Sequence, residues 1–182
     1  PIETVPPLVV QAFLSAEDKD FYTHNGIAID GVMRAVRDNL MTQLDGEDGP
    51  LVGASTITQQ VAKNFLLTSE QTWDRKIQEA LLALRIESTF SKDKILELYL
   101  NEIFLGLNSY GVAAAALNYF DKALYQLTVA EAAYIAALPK GPNNYHPFRR
   151  TEAAIERRNW VLERMRDNGY ITTEEMRAAQ SE

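Results

Sequence analysis

An all-α fold is predicted by three features of the sequence: helix-period apolar spacing from end to end, repeated capping-box spacings, and no period-two strand pattern. Apolar residues recurring every three to four positions give a helix one face for a core, whereas a half-buried strand needs strict alternation. The capping boxes pair Thr68 with Gln71, Thr128 with Glu131 and Thr172 with Glu175. Each sets a hydroxyl and a carboxyl or amide where they satisfy two orphan N–H groups at a helix start.

The elements follow in order. Pro6 and Pro7 suit a first helical turn, with Val9, Val10, Phe13 and Leu14 on its apolar face. Asp30 can cap a helix carrying Val32, Ala35, Val36 and Leu40. Leu44 to Gly53 is glycine-rich and acidic and reads as a loop. Ser55 or Thr56 starts a short helix through about Phe65, and the longest helix runs from about Glu70 to Thr89. Ile77, Leu81, Leu84 and Ile86 are its expected inward residues. Ser91 caps a helix through Tyr99; small residues from Gly111 to Tyr119 predict a closely packed one. Leu138 to Pro147 is a proline-punctuated loop, and a last long helix spans Thr151 to Asn168, closed by Gly169.

At 182 residues the chain is enough for one domain with a real core, and the reading is a single domain over 1–182. A net charge of −7 argues against broad nucleic-acid binding, which needs a basic footprint. The absence of cysteine excludes disulfides and thiolate metal sites, and two histidines, His24 and His146, make an all-histidine site unlikely. No apolar run reaches the ~18–20 residues of a membrane span. The chain opens at Pro1 without a signal-like segment, so it reads as an excised domain.

Three clusters carry chemistry. In the first, Glu17-Asp18 closes an apolar helix and leads to Phe21, His24 and Gly26. A carboxylate there can act as a base if burial or like-charged Asp18 and Asp20 raise its pKa; the plain alternative is a solvated helix end. In the second, Gly53, Ser55, Thr56, Thr58, Gln59 and Gln60 open a helix that carries Lys63 and Asn64. Hydroxyls and N–H groups at a helix start favour a phosphate, although an ordinary N-cap reads the same way. In the third, Arg75 and Glu79 share a helix face at i,i+4, the spacing of a surface ion pair. Ser91-Lys92-Asp93-Lys94 matches S-x-x-K formally, but neither S-D-N nor K-T-G follows and Ser91 is explained as a cap.

The conjunction is specific. Glu17-Asp18-x-x-Phe21-x-x-His24-x-Gly26, Gly53-x-Ser55-Thr56-Ile57-Thr58-Gln59-Gln60 and Arg75-Lys76-x-x-Glu79 closely resemble the ordered motifs of glycosyltransferase family 51. The resemblance continues through Ser91-Lys92, Ile95-Leu96-Glu97-x-Tyr99-Leu100-Asn101, Tyr110-Gly111-Val112, Tyr119-Phe120 and Leu138-Pro139-Lys140-x-Pro142, and looks closest to class A penicillin-binding proteins of Gram-negative bacteria. It implies a lysozyme-like helical domain with a smaller membrane-facing lobe, at the periplasmic face of the inner membrane. The transmembrane anchor and transpeptidase domain would lie outside this chain. It also implies polymerisation of lipid II into β-1,4-linked glycan strands with inversion, release of undecaprenyl pyrophosphate, and moenomycin as a donor mimic. The implied partners are lipid II and the growing glycan chain, the membrane surface and other cell-wall synthesis proteins.

Carried over by residue, Glu17 is the implied base, Lys63 the cation at the departing pyrophosphate, and Glu79 the second essential carboxylate. Glu79 orients the donor or holds a divalent cation, magnesium or manganese, which nothing in the sequence requires. Arg34, Ser55, Gln60, Asn64, Arg75 and Phe21 are implied in substrate binding, with Arg75 supporting Glu79 and Phe21 walling the cleft. Asp18, His24 and Gln59 support them. Where the family commonly carries a basic residue between Asn64 and Arg75, this chain has Gln71. Either Arg34, Lys63 and Arg75 suffice for the pyrophosphate, or Gln71 is only a capping residue. Two other functions fit a helical domain with an acid at a helix end: a lysozyme-like hydrolase or lytic transglycosylase, and a non-catalytic cell-wall interaction module. The hydroxyl and cationic residues at Ser55, Gln60 and Lys63 favour synthesis, because a neutral glycan does not require them.

Overall fold

The computed structural model describes residues 1–27, 55–65, 73–141, 145, 147 and 150–182. Among them the architecture is all-α: α1 (Pro7–Glu17), α2 (Ile57–Asn64), α3 (Trp73–Thr89), α4 (Lys92–Glu102), α5 (Val112–Phe120), α6 (Val129–Ala137), α7 (Thr151–Asp167) and α8 (Thr173–Gln180). Short 3-10 turns lie at Ile2–Thr4, Leu124–Gln126 and Leu138–Lys140, the last opening the expected loop. Extended pairing among the described residues is confined to one antiparallel bridge, Phe104 with Tyr110. The Asp30 helix, the Leu44 to Gly53 loop and the Thr68/Gln71 box fall outside the described residues. No helix among the described residues is long and apolar enough to cross a membrane.

The chain divides into two compact units, Pro1–Lys19 with Leu100–Glu182, and Asp20–Tyr99. In the first, α6 is the centre: Ala132 through Ala137 are all buried. A helix apolar all round must be enclosed, and α1, α5, α7 and α8 pack on it. Pro7 stands at the start of α1, where its missing N–H costs nothing, and the helix buries Val9, Ala12, Phe13 and Leu14. Burying a Phe or Leu side chain stabilises by about 1.5–3 kcal/mol. The helix stops at Asp18, whose φ of −164° is extended, so Glu17 is its last residue. Asn168 Nδ2, just past α7, donates to Ser15 Oγ at 3.0 Å and ties α7 to α1. Gly169 closes α7 at φ +80°, as its sequence position predicts. The boxes at Thr128/Glu131 and Thr172/Glu175 both form.

In the second unit, α2 packs on α3. Thr56 caps α2 in a box with Gln59. Ser91 Oγ accepts from Lys94 N at 3.2 Å, the N-cap role expected of it. The inward face of α3 corrects the sequence reading. Ile77, Leu81 and Leu84 are exposed, whereas Glu79, Ala83 and Ile86 are buried. Two residues are about 200° of helix, so Ile77, Leu81 and Leu84 turn outward when the buried face is centred on Glu79, while Ile86 is buried as expected. Gly26 approaches this face closely, and an added Cβ there would lie 2.8 Å from Glu87 Cγ and 3.2 Å from Ala83 O. Polar Glu79 is buried because it has a partner, described below.

Candidate active site

Glu17 ends α1 with its Oε1 buried, and Asp18 beside it is also buried. The expected raising influences were burial or negative charge from Asp18 and Asp20, and the structure shows both a buried oxygen and a buried neighbouring acid. Arg157 on α7 also interacts electrostatically with Glu17. Burial pulls the Arg157 guanidinium below its ordinary value, and the negative charge of Glu17 opposes that. Its plane lies 3.9 Å from the Trp160 ring centroid. Sequence reasoning missed Arg157; the available signal was its i,i+3 spacing to Trp160, which permits such stacking.

In the second unit, Phe21 is fully buried. Its ring meets Tyr22 and His24 edge-on, and Lys92 Nζ lies 4.5 Å from its centroid. His24 Nδ1 accepts from Gly26 N at 3.0 Å, which assigns the ring proton to Nε2 in the neutral form. Lys92 Nζ lies 3.5 Å from the same nitrogen and donates to Glu87 Oε1 at 2.8 Å. Thr58 Oγ1 donates to that carboxylate at 2.6 Å, and Thr56 Oγ1 donates to Gly26 O at 2.7 Å. His24, Thr56 and Thr58, distant in sequence, thus belong to one network. Its roots are Glu87 and Lys92, which the motif reading had not singled out for roles.

The second carboxylate, Glu79, is 2% exposed. Lys76 Nζ sits 3.3 Å from its Oε1 and donates to Ser55 Oγ at 3.0 Å. The cation that reaches Glu79 is therefore Lys76, at i,i+3, whereas Arg75 Nη1 donates to Gln78 Oε1 at 3.2 Å. The Arg75-Lys76-x-x-Glu79 spacing contained both options, and a sequence does not show which cation turns inward. Gln59 serves the capping box, its Oε1 accepting from Thr56 N at 2.9 Å. Gln60 is half-buried, and Lys63 and Asn64 are exposed in the last turn of α2. About 10 Å of helix separates Lys63 from the N-cap. Arg34 and Gln71 lie outside the described residues.

An ammonium group faces the Glu79 carboxylate, and no group of three or more His, Asp or Glu among the described residues is arranged to hold a metal. No step below is routed through one.

A helical chain with a carboxylate at the end of an apolar helix and a hydroxyl–ammonium–carboxylate cluster belongs to a definite class. Residues 1–166 match the family model described as transglycosylase, and the chain belongs to that family. Among named relatives, penicillin-binding protein 1A of Rickettsia prowazekii (strain Madrid E) is 49% identical over 179 residues, 98% of this chain and 22% of that protein. Penicillin-binding protein 1A of Haemophilus influenzae is 52% identical over 178 residues, covering 98% of this chain and 20% of its own. The Escherichia coli (strain K12) protein of that name is 47% identical over 181 residues, 100% of this chain and 21% of its own. The chain spans about a fifth of the length of these relatives.

Proposed function

We propose that this chain is a peptidoglycan glycosyltransferase that polymerises lipid II with Glu17 as general base. The observation that carries the reading is the family match across residues 1–166, a span that includes every residue given a role here. The Glu17 carboxylate takes the proton of the acceptor 4-hydroxyl, whose oxygen attacks C1 of the donor sugar from the face opposite the leaving group. The new C–O bond forms as the bond to pyrophosphate breaks, and its electron pair leaves on the phosphate oxygen. The product is a β-1,4 link with inversion. A sugar hydroxyl is a poor nucleophile, so a positioned base contributes about 10²–10⁴-fold.

Pyrophosphate leaves as an anion, so the donor side needs positive charge rather than a strong acid. Lys63 and Arg34 supply it in this reading, with Ser55, Gln60 and Asn64 on the same donor. Lys76 joins them through its bond to Ser55 Oγ, while Glu79 holds Lys76 in place. A lipid-linked substrate puts the reaction at a membrane surface, the periplasmic face of the inner membrane in this reading.

The test is turnover of lipid II by wild type, Glu17→Gln and Lys63→Ala, with intact peptidoglycan supplied separately. Polymer from lipid II, lost in Glu17→Gln and blocked by moenomycin, supports the reading. Polymerisation that survives Glu17→Gln, or cleavage of peptidoglycan in place of synthesis, overturns it.

A further inference from the structure

The geometry points to Glu87 as the positioning residue of α2, the helix that carries the donor-side residues Gln60, Lys63 and Asn64 of the proposed reaction. This rests on that reading and deepens it. Glu87 stands on α3 with its side chain 11% exposed. Its Oε1 accepts from Thr58 Oγ1, in the first turn of α2, at 2.6 Å and from Lys92 Nζ, at the start of α4, at 2.8 Å. Its Cγ lies against Gly26, where an added Cβ would come within 2.8 Å of it. Lys92 carries the tie further, with Nζ 4.5 Å from the Phe21 ring centroid and 3.5 Å from His24 Nδ1. All of these groups belong to the Asp20–Tyr99 unit. One carboxylate therefore joins α2, α4 and the segment from Phe21 to Gly26.

The tie sets a direction as well as a place. α2 has eight residues, too few to hold its own shape in water, so its orientation depends on what its start is fastened to. Ser55 Oγ accepts from Lys76, Thr56 Oγ1 donates to Gly26 O, and Thr58 Oγ1 donates to Glu87. Lys76 and Glu87 stand about 16 Å apart along α3. Two anchors at that spacing fix the angle of α2, whereas either alone lets it swing. Lys63 lies about 7.5 Å along α2 beyond Thr58, so a swing of about 10° carries it about 1 Å. Displacement on that scale is costly in a site that works by orientation.

Thr58 is fully buried, and its hydroxyl hydrogen is committed to the Glu87 carboxylate rather than to a ligand. A hydroxyl bonded to a carboxylate holds roughly twice as strongly as a neutral pair. The Lys92 ammonium on the same oxygen offsets the cost of burying that charge. Glu87 thus acts on the reaction through the angle of α2, without touching substrate itself.

The measurement is the split between KM and kcat for lipid II, well below the melting range, with folding checked by circular dichroism. Thr58→Val keeps the shape and removes the hydroxyl. Its KM is expected to rise about tenfold, the equivalent of one lost charge-assisted hydrogen bond, with most of kcat kept. Thr58→Ser restores the hydroxyl and should return KM close to the wild-type value. Glu87→Gln leaves Thr58 an acceptor without the charge and should raise KM about threefold. Because the two residues share one bond, the double variant should fall short of the product of the single effects. Hydrogen exchange supplies a readout without turnover. The Gln60 N–H, which donates to Thr56 O at 3.0 Å, should exchange about tenfold faster in Thr58→Val, while the amides of α6 in the other unit keep their rates.

A partly unfolded population lowers kcat and leaves KM in place, so a fall in kcat alone would make Glu87 a stability residue and overturn the inference. An unchanged KM in folded Thr58→Val overturns it too, even beside faster exchange, as does a Thr58→Ser protein no better than Thr58→Val. If Thr58→Val does not fold, Thr58→Ala is measured with the same expectation. The proposed function fails differently. Polymerisation that survives Glu17→Gln would sink the base and leave the KM result for α2 standing. Cleavage of peptidoglycan in place of synthesis would remove the donor, and the positioning role with it, whatever the exchange rates.

Discussion

Glu17 and Glu79 are both carboxylates on helices, but their supports differ in kind. Glu17 is carried by hydrocarbon: α1 is fixed by Val9, Ala12, Phe13 and Leu14. Glu79 is carried by polar bonds in which it takes part. Lys76 joins it to Ser55, and the neighbouring Thr56–Gly26 and Thr58–Glu87–Lys92 bonds fix the same unit. Where apolar packing bears the scaffold, a reactive group can change without loss of fold. Where the polar residues are the scaffold, function and stability are lost together.

The largest expected effects test that contrast directly. Glu17→Gln should cut lipid II turnover by about 10²–10⁴-fold, the usual range for a general base, with little change in melting temperature. Glu79→Ala should reduce both, because it leaves the Lys76 ammonium without its anion. With Lys76 30% exposed, that cost is about 2 kcal/mol, below the range for a fully buried pair. A protein of this size then melts roughly 4–8 °C lower. Calorimetry beside a turnover assay checks both; a Glu79→Ala protein as stable as wild type breaks the contrast.

Two capping boxes sharpen it at smaller scale. Thr172 caps α8 at the surface and accepts only from Glu175 N, at 3.1 Å. Thr172→Ala should cost about 1 kcal/mol and leave turnover intact. Thr56 is 2% exposed and also donates to Gly26 O. Thr56→Ala removes a cap and a buried tie to the His24 segment, and should cost about 2 kcal/mol with a clear loss of activity. Equal melting shifts for the two variants would show that the Gly26 bond contributes little.

The same division decides what could be read from the sequence. Helix ends were legible because caps are local: Thr56, Ser91, Thr128, Thr172 and Gly169 all act within a few residues of themselves. Glu17 was legible as a helix-ending acid within an ordered set of motifs. The inward face of α3 was not. Ile77, Leu81 and Leu84 have helical apolar period, but so does the stripe Glu79, Ala83 and Ile86, and its choice depends on Gly26 and Ser55 from other segments. Lys76 over Arg75, and the electrostatic interaction of Arg157 with Glu17, are likewise matters of tertiary structure. Burial of a charged residue depends on a partner that sequence distance conceals.

The smallest effect isolates charge from hydrogen bonding in the first unit, where packing dominates. Burial pushes the Glu131 carboxyl up, but hydrogen bonds from Lys122 and the Thr128 N–H outweigh it and hold the pKa below its ordinary value. As pH falls, the unfolded chain therefore binds a proton at this position before the folded one does. The stabilisation is present above the unfolded value of about 4.3 and is lost as pH falls through the lower folded value. Glu131→Gln keeps an oxygen for Thr128 N and removes only the charge opposite Lys122, whose side chain is 35% exposed. The expected cost is under about 1 kcal/mol near neutral pH. Thermal melts of the two proteins should converge between pH 5 and about 3, where the carboxyl of the wild type becomes protonated. A gap that persists undiminished at pH 3 would mean that the Lys122 ion pair is not its source, and that shape or hydrogen bonding at the α6 cap is.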